Sequence, residues 1–149
     1  MKNLKKILCC IIVISAVITQ STSNILANKP DKNVVIDNVI ELNKTIHDFG
    51  DVLVSDGPLK CSFVVKNISD KPMAIYNVVS SCGCTGVKWT REPIMVGKTG
   101  KITATFKNDQ GAYPFDKTLT VYFSNIKKPV ILHLRGIVHS EKKSPKDLL

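Results

Sequence analysis

The residues with the clearest chemical potential in this sequence are two cysteines separated by one glycine, Cys82-Gly83-Cys84. Glycine adopts backbone angles that are closed to other residues, so the two sulfur atoms can converge. A disulfide between them would close a small ring, and strain in such a ring makes the bond easier to reduce. The motif is therefore compatible with a redox-active disulfide.

The same two sulfurs could instead bind a metal ion. Two thiolates suit copper(I), a soft ion that accepts two-coordinate sulfur. A structural zinc ion would need two further ligands, and the three histidines, His47, His133 and His139, lie far from the cysteines along the sequence. Copper(I) held by Cys82 and Cys84 is thus the metal site that the motif favours.

A structural use of the cysteines is the third alternative. Cys61 lies between Leu59 and Phe63 on the inward face of a predicted strand, where a cysteine usually acts as a small buried hydrophobic residue. A bond from Cys61 to Cys82 or Cys84 would leave the motif without redox chemistry, as would a tight corner packed at the end of a sheet. The sequence leaves these three alternatives open.

No other constellation of residues indicates an enzyme. The sequence contains no Gly-x-Ser-x-Gly, no His-Glu-x-x-His and no phosphate loop. A reactive thiol needs a cation or a helix N-terminus to stabilise its thiolate. Lys88 and Arg91 are the nearest basic residues along the chain, and solvated loop charges would show the same pattern.

The N-terminus has the pattern of an export signal. A basic segment, residues 2–6, precedes the apolar residues 7–18, a run that is short for a membrane-spanning helix. We expect residues 1–27 to be a signal peptide, with cleavage after Ser23 or Ala27, and an uncleaved anchor is the alternative. Export would place the protein in the periplasm or cell envelope, or outside the cell, where thiols form disulfides or bind metals.

Downstream, apolar and polar residues alternate with a period of two, which predicts strands. Turn signals separate seven such segments: 39–47, 58–67, 73–80, 85–89, 100–107, 115–123 and 130–138. This spacing predicts an all-β fold, an immunoglobulin-like two-sheet β-sandwich of about seven strands. We expect a flexible lead-in over residues 28–38, the sandwich over 39–139 and a disordered charged tail over 140–149.

Length and charge indicate the number of domains and argue against one class of protein. A chain of 149 residues predicts one domain. The formal net charge is +9, of which Lys2, Lys5 and Lys6 in the leader contribute three. The other basic residues are scattered and no stacking aromatics alternate with them, which argues against nucleic-acid binding.

Several short segments, in this order, resemble one protein family. Residues 80–86 read Ser-Ser-Cys-Gly-Cys-Thr-Gly, with Phe-Gly-Asp upstream at residues 49–51 and Leu-His-Leu-Arg-Gly downstream at residues 132–136. The set, over residues 46–138, resembles the DUF1573 family, which is common in Bacteroidetes. The resemblance implies an exported immunoglobulin-like sandwich. The family has no agreed activity, so the resemblance transfers no catalytic residue.

These features favour an exported, non-enzymatic binding or assembly module of the bacterial cell envelope. Its expected partner is another envelope protein, which would add a strand to a sheet edge or contact a loop end. Membrane contact would come only through an uncleaved leader, and the oligomeric state is left open. The alternative is a thiol-redox or copper-handling protein that uses Cys82 and Cys84. Serine at both positions would abolish that chemistry and leave a binding module intact.

Overall fold

The computed structural model describes residues 33–140, which form nine strands and one short 3-10 helix, Val54–Asp56. The strands are β1 (Val34–Ile36), β2 (Ile40–Leu42), β3 (Ile46–Leu53), β4 (Leu59–Asn67), β5 (Ile75–Ser80), β6 (Thr85–Trp89), β7 (Thr99–Phe106), β8 (Pro114–Phe123) and β9 (Val130–His139). One sheet has the order β1-β2-β4-β7-β6 and the other has the order β3-β9-β8-β5. The predicted all-β sandwich of two sheets is confirmed.

The core lies between the two sheets and is built from alternate residues of their strands. A strand directs successive side chains to opposite faces, so an apolar residue at every second position gives one apolar face. The predicted inward residues are buried on β4 (Cys61, Phe63, Val65), β7 (Ile102, Ala104, Phe106), β8 (Leu119, Val121, Phe123) and β9 (Val130, Leu132, Leu134). The alternation therefore identifies most of the core.

The N-terminal strands differ from the prediction. Residues 39–47 do not form one strand, because β2 ends at Leu42 and β3 begins at Ile46 in the other sheet. Asn43 marks the crossing, where its side-chain oxygen accepts a hydrogen bond from the Val64 amide at 2.8 Å. Residues 33–140 thus form nine strands rather than about seven.

The predicted flexible lead-in contains strand β1. Asp37 and Asn38 have positive φ angles of 50° and 51°, and the Val39 amide donates to the Ile36 carbonyl at 3.0 Å, closing a tight turn between β1 and β2. Aspartate and asparagine tolerate this left-handed conformation better than most residues. The turn returns the chain onto β2, so that residues 34–36 are ordered.

Strand β3 pairs with β9 in parallel, and a bulge interrupts the pairing between Asp48 and Asp51. Gly50 occupies the bulge with a φ angle of 66° and donates its amide to the Asp48 carboxylate at 2.9 Å. Arg135 donates to the other carboxylate oxygen at 3.0 Å. These bonds, the Gly50 amide first, hold the pKa of Asp48 below its usual range. Residues 49–51 and 132–136, two of the segments that carry the resemblance, are thus neighbours.

Asn67, at the end of β4, is a fully buried polar residue with its side chain saturated by hydrogen bonds. Its amide nitrogen donates to the carbonyls of Lys71 and Ile94, both at 2.9 Å. Its oxygen accepts from the amide and the hydroxyl of Ser69 at 3.0 and 2.7 Å. Asn67 therefore ties the turn after β4 to the segment that precedes β7.

Within residues 33–140 no helix has the length and hydropathy needed to cross a membrane. The predicted signal peptide, residues 1–27, lies outside the described residues, as do residues 28–32 of the lead-in and residues 141–149 of the tail. Those predictions stay predictions.

Candidate functional site

Cys82 and Cys84 lie in the turn that joins β5 to β6 and so connects the two sheets. The two residues are bonded to each other in a disulfide, with their Cα atoms 5.2 Å apart. Both are partly exposed and Gly83 between them is exposed. Cys61 takes no part, because it is a free, buried cysteine. Of the sulfur pairings considered, the structure has the one within the motif.

Hydrogen bonds hold the two ends of this turn against two neighbouring strands. At the start, the Ser81 amide donates to the Thr118 carbonyl on β8 at 2.9 Å. At the end, the amide of Lys107, the residue after β7, donates to the Cys84 carbonyl at 2.8 Å. Lys117 precedes Thr118, so each anchoring point also brings a lysine toward the turn.

The turn is also stabilised from within. The carbonyl of Cys82 accepts from the Ser80 hydroxyl at 3.0 Å and from the Thr85 amide at 3.3 Å. The Thr85 hydroxyl lies 3.5 Å from the Cys82 sulfur and 4.0 Å from the Cys84 sulfur, which is hydrogen-bonding range for sulfur. Thr85 itself is buried. The Thr85 hydroxyl is thus held in one position beside both sulfur atoms of the disulfide.

An open cavity of about 450 Å³ runs beside the disulfide. Residues 82–84 line one side, and Lys107, Asp109, Gln110 and Lys117 line the other. Two lysines against one aspartate make the cavity electropositive, and nearby positive charge stabilises a thiolate, which is the reactive form of cysteine. A larger cavity of about 540 Å³ lies at the β3 bulge, and no cysteine lines it.

The cations suggested by sequence proximity are not those that line the cavity. Lys88 lies exposed on β6. The guanidinium of Arg91 stacks 3.7 Å from the centre of the Trp89 ring, whose indole nitrogen donates to the Ile75 carbonyl at 2.9 Å. Sequence reasoning missed Lys107 and Thr85. It missed Lys117 on β8 as well, because the order of strands in a sheet is not visible from spacing.

Copper(I) binding at Cys82 and Cys84 stays a prediction, and it requires the disulfide to open. Among residues 33–140, no group of three or more histidine, cysteine or acidic side chains is arranged to hold a metal ion. The histidines have other contacts. His133 contacts Asp116 at 2.8 Å, His139 contacts Asp51 at 2.5 Å, and His47 contacts Lys44 at 2.7 Å.

Cys61 is buried on β4, opposite Ala104 of β7, and only 5% of it is exposed. This confirms the prediction of a small buried hydrophobic residue. Burial disfavours a charged thiolate and raises the pKa of Cys61 from 9.0 to about 11, although the charge of Lys44 opposes the shift. Cys61 is therefore a protonated, inert thiol at neutral pH.

Alkaline pH should destabilise the protein through Cys61. Between its ordinary pKa of 9.0 and its folded value of about 11, the unfolded chain releases a proton that the folded chain keeps. The stabilisation present below pH 9 is thus lost as the pH rises, by up to about 2–3 kcal/mol. We expect chemical unfolding at pH 8 and pH 10.5 to show a smaller loss of stability for Cys61→Ala. Equal losses in the two proteins would contradict this origin.

The two facing sheets and their strand order define an immunoglobulin-like β-sandwich, here with a disulfide in the turn between the sheets. The chain belongs to the family described as "Protein of unknown function (DUF1573)", whose profile matches residues 40–138. The family resemblance is therefore confirmed. No curated protein sequence matches the chain.

Solved structures with this fold come from distant proteins. A protein of unknown function from Porphyromonas gingivalis W83 is 16% identical, with a TM-score of 0.54, over 78% of this chain and 51% of that one. The secreted serine protease VesC from Vibrio cholerae is 11% identical, with a TM-score of 0.56, over 75% of this chain and 25% of that one. The match covers half of the first protein and a quarter of the second.

A human domain matches over nearly its whole length. The ASH/PapD-like domain of human CEP192 (PapD-like domain 7) is 9% identical, with a TM-score of 0.51, over 74% of this chain and 95% of that one. At this level of identity the likeness is one of fold alone, because one fold carries many unrelated functions.

Proposed function

We propose that this protein is an exported immunoglobulin-like module of the cell envelope that exchanges disulfides with a partner through Cys82 and Cys84. The observation that carries the proposal is the bond between these two cysteines, at a partly exposed turn beside an electropositive cavity. The sequence by itself favours a non-enzymatic binding module. The disulfide between Cys82 and Cys84 favours the thiol-redox alternative instead.

A structural role explains this disulfide poorly. A disulfide stabilises a fold mainly by closing a loop in the unfolded chain, and the effect grows with loop length. Cys82 and Cys84 are two residues apart, so their bond closes a loop of only three residues and connects no separate strands. Hydrogen bonds from Ser81 and Lys107 already anchor the turn to β8 and β7. The bond therefore adds little to a turn that is held without it.

Export supports the same proposal. The pattern of residues 1–27 is that of a signal peptide, and disulfides persist in oxidising compartments such as the periplasm. A module in that space would meet other envelope proteins whose cysteines need to be oxidised, reduced or rearranged. An envelope protein with a cysteine pair is thus the partner that we propose.

The test is the equilibrium between the disulfide and the dithiol. The purified protein is held in glutathione buffers of defined potential, quenched with acid, alkylated and weighed by mass spectrometry. Structural disulfides have potentials below about −300 mV and stay closed in glutathione. We expect the Cys82–Cys84 bond to open at less reducing potentials, in one step that yields two thiols.

Cys61→Ala is the matched control for that titration. We expect it to titrate like the unmodified protein, because Cys61 is buried and outside the motif. A bond that stays closed at −300 mV, a potential typical of structural disulfides, would contradict the proposed exchange.

A further inference from the structure

We infer that the two sulfurs have different roles, with Cys82 exchanging with the partner and Cys84 closing the bond afterwards. This inference rests on the proposed disulfide exchange and deepens it. It assigns the atom to which the partner becomes attached. The assignment comes from the surroundings of each cysteine in the turn.

Cys84 is the more fixed of the two residues. Its side chain packs against the hydrophobic core, and its carbonyl is bonded to Lys107 beyond the end of β7. An attached partner would have to displace these contacts. Cys84 is therefore better placed to act on a neighbouring sulfur than to receive a large group.

Cys82 is held only through its own turn. Its amide and carbonyl bond to the Ser80 hydroxyl, and its carbonyl also accepts from the Thr85 amide. Both cysteines line the cavity with Lys107 and Lys117, but Cys82, unlike Cys84, is not among the residues that pack against the core. A partner can therefore reach the Cys82 sulfur from the electropositive side.

The Thr85 hydroxyl distinguishes the two sulfurs as well. It lies 3.5 Å from the Cys82 sulfur and 4.0 Å from the Cys84 sulfur. A hydroxyl that donates to a thiolate stabilises it, and the shorter contact favours Cys82 as the thiolate. Thr85 is a positioning residue in this scheme, because it acts through Cys82.

In the proposed exchange, Cys82 first loses its proton to water, and the resulting thiolate attacks one sulfur of the partner's disulfide. A mixed disulfide forms, and the partner's other sulfur leaves as a thiolate that takes a proton from water. Cys84 then loses its proton to water and attacks the Cys82 sulfur. The Cys82–Cys84 bond forms, and the partner's second sulfur leaves as a thiolate that also takes a proton from water. The partner gains two electrons and two protons, and the protein loses them. The reverse sequence oxidises a partner dithiol.

Single serine variants test the assignment, with glutathione disulfide as the probe. Cys84→Ser leaves only the Cys82 thiol in the motif, and Cys82→Ser leaves only Cys84. We expect Cys84→Ser to form the mixed disulfide with glutathione at least 10-fold faster at pH 7, as followed by intact mass. Both variants carry Cys61→Ala together with Cys9→Ser and Cys10→Ser, so that every adduct reports on the motif.

Each outcome has one interpretation. If Cys82→Ser reacts as fast or faster, the assignment is overturned while disulfide exchange stands. If neither variant reacts faster than a cysteine in an unfolded peptide, the proposed function fails and the assignment with it.

A third measurement isolates the effect of Thr85 in the Cys84→Ser background. Thr85→Val should move the pH of half-maximal reaction rate upward, and Thr85→Ser should restore it. If Thr85→Val and Thr85→Ser give the same midpoint, Thr85 does not position Cys82.

Discussion

Serine at both Cys82 and Cys84 should abolish disulfide exchange while the sandwich still folds. The assay follows the oxidation of a dithiol peptide by glutathione disulfide in the presence of catalytic amounts of protein. We expect the acceleration of peptide oxidation to fall by at least about two orders of magnitude, to the rate in buffer. The reason is that the double variant has neither of the sulfur atoms that exchange. Within residues 33–140 the remaining thiol is Cys61, which is buried and has its pKa raised to about 11.

Two controls separate lost chemistry from lost structure. The free energy of unfolding of the double variant should be lower by only about 1–2 kcal/mol, the value expected when the disulfide of a three-residue loop is removed. Cys61→Ala should keep the full rate. A double variant that retains acceleration would contradict exchange at this site. A collapse of its stability would instead assign the disulfide a structural role.

Asn67→Ala should cost the fold about 3 kcal/mol. The substitution removes four hydrogen bonds of a side chain that is fully buried, and each bond contributes about 0.5–1.5 kcal/mol net. The carbonyls of Lys71 and Ile94 lose a donor in the process, which adds to the cost. We expect the melting temperature to fall by about 10–15 °C in a domain of this size.

Asn125→Ala is the matched control for that measurement. Its side-chain amide also donates to a carbonyl in the turn after β4, that of Pro72 at 3.2 Å, but Asn125 is only half-buried. We expect a loss below about 1 kcal/mol, because water replaces the bond. Asn67→Asp should be at least as harmful as Asn67→Ala, since it buries a charge and removes both donated bonds. Equal, small losses at both asparagines would contradict a special role for Asn67.

Much of this fold is predictable from the sequence because its strands are half-buried. Phe63 and Ile102 are recognisable as core residues from the alternation around them, and the structure buries both completely. Strand β1 escapes prediction because its turn uses Asp37 and Asn38 rather than a glycine. The break at Asn43 is not predicted either, because the pattern of apolar residues does not show where the chain passes from one sheet to the other.

The site is predictable only in part, for a related reason. The motif itself shows that Cys82 and Cys84 can bond to each other, since both the spacing and the glycine are local, but it leaves open a bond to Cys61 and a metal site. Lys107, just after β7, and Lys117, on β8, line the cavity beside the disulfide because of pairings between residues that are tens of positions apart. The sequence places Thr85 in the motif and at the start of a short strand, but it does not show that the Thr85 hydroxyl lies beside the sulfur atoms. A disulfide site is thus visible locally, while its electrostatics depends on the strand order.

The parallel pairing of β3 with β9 has a consequence for the order in which the molecule is built. Ile46 pairs with His133. A chain that is made from its N-terminus onward therefore cannot form the β3–β9 hydrogen bonds until its last strand is present. Contacts between such distant residues form slowly. Cys82 and Cys84 need only each other, and their bond can close while the surrounding strands are still unpaired. An oxidant can therefore close the cysteine pair on an open chain, without Thr85 or the two lysines in place.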